Sequence, residues 1–320
     1  MSTAAPTIGR SPAQEAWRRF RRDKTATVFL VVFACFALLA VSAQVIEFVD
    51  GSPFVYEETL AERGHDVPES ATSPSLEHPL RWLGTTSTGK SVILRVFHGT
   101  KVAFVVGVLG AGLAVLFGTT MGLVSGYFGR RIDEVVVYVY STIDSIPYLL
   151  LLLALAFLIR QGPVADVYHS MWLSQYLSLG LFNIVMVIGL TSWVTLCRLI
   201  RAETMKVRNL EYIHAARAIG MSDARILFRH VLPNVFHLVI INFSLTFVRA
   251  IKSEVILTFL GVGVDKEPSW GQMIADAKTE LMQGVWWPLL ASGVLLFLLT
   301  LSVNYVGDAL RDALDPRLKR

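Results

Sequence analysis

Residues Gly84-Thr85-Thr86-Ser87-Thr88-Gly89-Lys90-Ser91 spell the pattern G-x-x-x-x-G-K-[ST] in full. In a nucleotide-binding domain that pattern aims backbone N–H groups and a lysine at phosphates, with the Ser or Thr hydroxyl on magnesium. The chemistry depends on context, because the loop must follow a buried strand and open a helix inside an α/β domain. His78-Pro79-Leu80-Arg81-Trp82-Leu83 is a poor buried strand, and no soluble α/β domain surrounds it. An ATP-using membrane enzyme acting through Lys90 is therefore the weaker reading.

The other residues placed for chemistry are charges inside apolar runs: Asp144, and Arg249, Lys252 and Glu254 within one segment. A charge at the centre of a membrane helix costs about 2.5–3.5 kcal/mol, so each needs a partner, a polar interface or a water-filled path. At about 100° per residue, Arg249 and Lys252 are about 60° apart, and Glu254 lies about 160° from Lys252. One helix face cannot hold all three. The alternative to a path is pairing between helices with no contact to a solute.

The elements that must position these charges are membrane helices. Of 320 residues, 53% are hydrophobic and 17% charged, and the mean hydropathy is +0.54. A soluble domain averages about 45–50% apolar and about 25% charged. A bilayer core needs about 20 apolar residues per helix. Six segments qualify: about Ala26–Phe48, Val102–Tyr127, Val135–Ile159, Leu177–Cys197, Val235–Gly261 and Val285–Val306. None alternates with period two as membrane β-strands do. The expected fold is an all-α integral membrane protein with six transmembrane helices.

Basic residues orient it. Arg18, Arg19, Arg21, Arg22 and Lys24 precede the first span, and Arg130 and Arg131 follow the second. Arg198, Arg201, Lys206, Arg208, Arg217, Arg225 and Arg229 lie between the fourth and fifth, and Arg311, Arg317, Lys319 and Arg320 after the sixth. The loop after the first span is acidic at its start, from Glu47 and Asp50 to Glu69 and Glu77. The positive-inside rule puts both termini in the cytoplasm. The expected division is a cytoplasmic segment 1–25, a first helix 26–48 and an extracytoplasmic loop 49–101. A core at 102–308 follows, with five helices and a cytoplasmic loop at 201–233, and then a cytoplasmic tail 309–320. The formal charge of +4 follows from this topology, and nucleic acid is not expected as a partner.

The first span, with Val41-Ser42-Ala43 near its end, has the outline of a cleavable signal. About twenty-four residues precede it and further spans follow, which favours a retained anchor. Ahead of it, Ala13, Ala16, Trp17 and Phe20 share one face among arginines. That suits either an interfacial helix or a disordered basic tail. Cys35 and Cys197 fall in apolar spans and read as buried thiols, with no disulfide framework or metal spacing. No catalytic residue, metal or cofactor is expected.

The segment Glu211–Pro233 is polar, basic and rich in helix formers. Gly220 is placed to end a first short helix in a left-handed C-terminal cap. Ser222 or Asp223 is placed to cap a second, and Pro233 to limit its far end. Ala215-Ala216-x-x-x-Gly220, then nine residues, then His230-x-Leu232-Pro233, resembles the "EAA" loop of importer-type ABC permeases. The motif glutamate falls at His214, with Glu211 one helical turn earlier.

Further matches run in order along the chain. His78-Pro79, Leu83-Gly84-Thr85, Gly89 and Val92 resemble the family's HPLGTDxxGRDV, and two departures from it create the phosphate-loop pattern. Gly126-Tyr127-Phe128-Gly129 with Asp133-Glu134 resembles GYFGGxxDE, and Asp144 and Pro147 match an Asp and a Pro of the third span. Thr258–Val264 resembles SFLGLGV, Pro268-Ser269-Trp270-Gly271 resembles PSWG, and Gly307–Arg317 resembles GDxLRDALDPR. The set covers about Leu76 to Arg317. It is similar to the second permease subunit of the dipeptide/oligopeptide/nickel group of ABC importers.

That resemblance implies the type I importer permease fold in a bacterial or archaeal cytoplasmic (inner) membrane. It implies a second homologous permease subunit, cytoplasmic ATP-binding subunits, an extracytoplasmic substrate-binding protein and membrane lipid as partners. The expected ATPase-coupling residues are Glu211, His214, Ala215, Ala216, Gly220, His230, Leu232 and Pro233. The candidates for a path or polar interface are Asp144, Arg249, Lys252 and Glu254; the family often has a glutamate at the last. The implied cargo is di- or oligopeptide, with nickel or another small solute as the alternative. A self-contained channel or secondary transporter is the rival class, but it would not need the Gly220-hinged loop. Gly118, Gly122 and Gly126, four residues apart on one face, are expected to allow close helix packing.

Overall fold

The computed structural model describes residues 18, 20–21, 23–50, 70–161, 163–175, 177–265 and 267–314. The expectation of an interfacial helix before the first span, the part of the expected outer loop at 51–69 and the last six residues lie outside these. Among the described residues the only extended pairing is one isolated bridge, Thr85 to Ser91; the rest is helix and loop.

α1 (Lys24–Asp50) is the first span. α2 (Val92–Phe128) is 37 residues long and passes through a π-helical turn at Val106–Gly110. At 1.5 Å per residue it is about 55 Å long, more than the roughly 30 Å hydrocarbon core. It starts at Val92, ahead of the expected edge at Val102. Arg95, His98 and Lys101 mask its first turns in a hydropathy reading. The structure pairs them with Asp276 and Glu47.

The third span departs from expectation. It is not one helix over Val135–Ile159 but two, α3 (Arg130–Asp144) and α4 (Tyr148–Gln161), bent by 95°. Pro147 has no N–H to continue the ladder and disfavours helical backbone at the residue before it. After α5 (Pro163–Ser170), α6 (Leu179–Thr191) and α7 (Val194–Val207) together make a 29-residue fourth span. α8 (Glu211–Ala218) is short. α9 (Asp223–Phe259) is a 37-residue fifth span. α10 (Trp270–Met282) and α11 (Trp287–Leu314) complete the chain.

α9 corrects a second expectation. Pro233 does not limit a separate short helix. The π-helical turn Leu227–Val231 carries Asp223–Ile226 directly into the span, with Leu232 N–H bonded to Leu227 O. The wider turn accommodates Pro233, the second residue after it, where the missing N–H is tolerated. The loop is thus one short helix and the end of a long one.

α2 and α7 pack backbone to backbone along the three glycines. A Cβ on Gly118, Gly122 or Gly126 would lie 2.8, 2.7 and 2.7 Å from the carbonyl oxygens of Trp193, Cys197 and Arg201. Only a hydrogen fits. Around them, Leu123, Tyr127, Leu196, Ile200, Ile213, Ile226 and Val235 form a core at one end of the bundle. Phe33, Phe36, Phe104, Phe247 and Trp270 pack toward the other. Cys197 is buried as expected. Cys35 is exposed on α1, because only one side of that helix meets α2 and α11.

Candidate functional site

α8 is amphipathic on a small scale. Ile213 and Ala216 are buried, 0% and 6% exposed. Glu211, Tyr212, His214, Ala215, Arg217 and Ala218 are exposed. Its end is a Schellman motif: Met221 N–H bonds Ala216 O at 3.1 Å and Gly220 N–H bonds Arg217 O at 2.9 Å. Gly220 has φ +80°, as expected, and nothing lies within 4 Å of where its Cβ would be. The constraint at Gly220 is conformational, since that φ disfavours any side chain. Ser222 precedes α9 with extended backbone, but its hydroxyl makes no cap bond.

The expected docking residues therefore divide. His214, Ala215, Glu211, Gly220 and Pro233 are on the surface, and His230 and Leu232 are half-buried. His230 stands beside Tyr212, ring centroids 6.2 Å apart. Ala216 is corrected: it points into the chain's own core, so its small size serves the seating of α8. The exposed surface near the loop instead includes apolar Leu210, Tyr212, Ile219 and Phe228, the last two 79% and 71% exposed.

Residues with no role assigned from sequence hold this loop in place. Tyr127 Oη donates to Asp223 Oδ1 at 2.6 Å. The Arg217 guanidinium carbon lies 5.0 Å from the Tyr127 ring centre. Arg208 donates to the carbonyls of Gly126 and Tyr127 at 2.8 and 3.1 Å. Asp133 takes two bonds from Arg201, at 2.5 and 2.6 Å, and one from Ser125. These are charge-assisted bonds, the stronger kind. They fix α8 and the start of α9 to the junction of α2 and α3. The signal was an aromatic hydroxyl and an acid in the Gly126–Asp133 turn, opposite a chain of arginines.

The charges of the fifth span separate as the helical angles require. Glu254 is 1% exposed. Its Oε1 accepts from Thr258 Oγ1 at 3.0 Å, and Ser269 also bonds it. Val264 N–H in turn donates to Thr258 Oγ1 at 3.2 Å, and Gln272 N–H to Ser269 Oγ at 3.1 Å. Glu254 thus buckles α9 to the entry of α10 and does not face open space. Arg249 and Lys252 lie on the exposed side. Asp144, at the end of α3, pairs with Arg198 at 2.8 Å.

The turn at Gly84–Ser91 engages several of the groups a phosphate would need. Thr86 N–H bonds Lys90 O at 2.9 Å, Gly89 N–H bonds Thr86 O at 3.0 Å, and Lys90 N–H bonds Thr86 Oγ1 at 3.1 Å. Ser87 N–H donates to the carboxylate of Glu280 at 3.3 Å, and Ser91 Oγ donates to Leu80 O at 2.6 Å. An acidic side chain already occupies the anion's place. Burial pushes the Glu280 carboxyl above its ordinary range, with the Ser87 N–H opposing that shift. Trp287 Nε1 ties the same turn to α11 through Thr85 O at 2.8 Å. Nearby, Glu47 binds His98 at 3.0 Å and also Lys101. Glu267, raised by burial and held down by the Lys101 charge, accepts from Ser178 at 3.1 Å.

Among the described residues, five helices are long and apolar enough to cross a membrane, or six spans if the bent pair α3–α4 counts as one, and a tethered polar loop sits at one end; this is the build of a multi-pass membrane subunit. The chain belongs to the family described as binding-protein-dependent transport system inner membrane component, whose family model matches residues 118–320. A second model, the N-terminal TM domain of oligopeptide transport permease C, matches residues 11–59. The dipeptide transport system permease protein DppC of Bacillus subtilis is 31% identical over 97% of this chain and 87% of its own length. The oligopeptide transport system permease protein OppC of the same organism is 30% identical over 96% and 90%. The glutathione transport system permease protein GsiD of Pectobacterium atrosepticum is 30% identical over 97% and 93%. Among solved structures, inward-facing MetNI methionine ABC transporter aligns with TM-score 0.54 at 17% identity, covering 75% of this chain and 100% of that one. That likeness shows the type I permease fold. The protein is thus a multi-pass inner-membrane permease subunit of an ABC importer, a non-catalytic component that works with ATPase subunits and a substrate-binding protein.

Proposed function

We propose that this permease forms half of the membrane path of a peptide importer, beside a second homologous permease and with lipid around the pair. It passes ATPase movement to that path through α8. The observation that carries the coupling is the combination of an exposed, partly apolar surface around α8 with a polar tether beneath it. A partner pushing on Ile219, Phe228 and the outer face of α8 moves Tyr127 and Asp223 with it. These residues belong to α2 and α9, so the push reaches two spans at once. Alternating access needs such a two-state packing biased from outside.

The names of the dipeptide, oligopeptide and glutathione relatives favour peptide cargo over nickel. The orientation has two supports. Phe20, Ala26 and Ala313 pack together, so the start of α1 and the end of α11 lie at one end of the bundle. The arginines around α8 lie at the α2–α3 end, and Glu47 and Glu280 lie at the far end of α2. The basic end is cytoplasmic by the positive-inside rule, which leaves Gly84–Ser91 outside. The division into a tail, an anchor helix, an outer loop and a five-helix core follows from that orientation.

The test is crosslinking in membranes that contain the full transporter. Cysteine at Ala215 should crosslink to the ATPase subunit, and cysteine at Ser87 to the binding protein. Exchanged partners would invert the topology and end the proposal.

A further inference from the structure

The break in the third span opens a cavity of about 240 Å³ that no role described above uses. Asp144 and Tyr148 line it from the two sides of the break, Thr191, Ser192 and Thr195 from the fourth span, and Arg249 from α9. Tyr148 Oη lies 3.0 Å from Ser253 Oγ, which fixes that wall. Arg249 is about ten residues, or about 15 Å, from the Phe259 end of its helix. That distance is half of a hydrocarbon core about 30 Å thick.

The charges around the cavity do not balance. Asp144 is engaged by Arg198. Arg249 has the Thr246 hydroxyl at 3.3 Å, and among the described residues no carboxylate lies within ion-pair distance of Arg249 or Lys252. Glu254, the acid nearest in sequence, is committed on the opposite side of the helix. Two cations are thus left over at a depth where uncompensated charge is disfavoured. A guanidinium facing a small cavity whose wall mixes hydroxyls with Ile143, Ile146, Leu151 and Val194 is suited to a carboxylate, which it binds through two parallel N–H bonds. The volume is below the usual 300–1,000 Å³ of a whole-ligand pocket. It equals about eight water molecules at about 30 Å³ each. It admits the end of a peptide and not its length.

We infer that this cavity is a station for the carboxylate of the cargo, held by Arg249, with Lys252 one turn away adding positive potential. The peptide form of the statement, capture of a free C-terminus, rests on the peptide-importer reading above. It predicts that the membrane path, independently of the binding protein, distinguishes an acid from its amide.

The test uses the purified transporter with its ATPase subunits and without the binding protein. In a Cys35→Ser background, Thr195→Cys is labelled with a maleimide while Ala-Ala or Ala-Ala amide is titrated in. Propionate and propionamide serve as a non-peptide pair. Half-protection by each acid should need at least tenfold less ligand than by its amide. Arg249→Gln should abolish the difference, and Arg249→Lys should restore part of it. Equal protection by acid and amide, no protection by either, or a difference that survives Arg249→Gln would overturn the inference. The contrast in the Thr195→Cys chain decides even where Arg249→Gln fails to assemble. Uptake of labelled Ala-Ala by the complete system with its binding protein tests the peptide reading separately. Uptake without acid-selective protection sinks the station alone. Acid-selective protection by propionate with no peptide uptake sinks the peptide reading alone.

Discussion

The close packing of α2 on α7 makes a sharp prediction at Gly122. An alanine there would put its Cβ 2.7 Å from Cys197 O and 2.8 Å from Ile200 Cβ. Ordinary contact begins near 3.4 Å, so the fit is short by about 0.7 Å. The obstructing atoms are a main-chain oxygen and a Cβ, neither of which can swing away. α2 and α7 must move apart, and overpacking of this kind costs about 1–3 kcal/mol. Alanine recovers about 0.5–1 kcal/mol of helix propensity relative to glycine. The net loss is therefore about 0–2.5 kcal/mol. Gly112 supplies the control, because it lies on the same helix with nothing within 4 Å of its Cβ position. Gly112→Ala should be neutral or stabilising by up to about 1 kcal/mol. Both are measured by tryptophan fluorescence during denaturation of the detergent-solubilised protein, which has seven tryptophans. Equal shifts in the two variants would refute the close-packing argument. Since α2 also carries Tyr127, Gly122→Ala should lower transport more than Gly112→Ala does.

Ala216→Glu should destabilise the solubilised subunit itself, on the order of 3 kcal/mol for a charge forced into a packed site. Ala215→Glu should leave stability within about 0.5 kcal/mol and weaken co-purification of the ATPase. Thermal unfolding beside a pull-down separates the two, and the reverse pattern would contradict the burial of α8. Glu280→Gln addresses pH. Because burial raises the folded carboxyl's pKa, its stabilising contribution is present below the ordinary glutamate range and is lost as pH rises through the raised value. Thermal stability of the wild type should fall over that interval, and that of Glu280→Gln, which still offers Ser87 an acceptor, should fall less. Parallel pH profiles would exclude Glu280 as the cause.

Much of the local architecture was readable because it rests on near-neighbour physics. Gly220 had to be a helix stop, since glycine alone takes φ +80° freely. The glycines at 118, 122 and 126 had to share a face. The angles along α9 alone separate Glu254 from Arg249 and Lys252. Pro147 and Pro233 show the limit. Both are prolines in helical surroundings, yet one accompanies a 95° break and the other follows a π-turn inside a continuous helix. Local sequence does not say which, because the difference lies in what the neighbouring turns pack against.

By itself the sequence determined that this is a membrane protein of six apolar segments, with its charges unequally shared between the two ends. Apolar runs long enough for a bilayer leave the backbone no other way to satisfy its polar groups. Only the tertiary structure decided which side of α8 is free. Ala215 and Ala216 are identical in type and adjacent, and the core formed by Ile213, Ile226 and Leu123 buries one of them. The same holds for the phosphate-loop pattern at 84–91. Its eight letters fit, but Glu280, far along the chain, takes the Ser87 N–H. Contacts between residues distant in sequence are set by the packing of whole helices, which no motif of a few residues encodes.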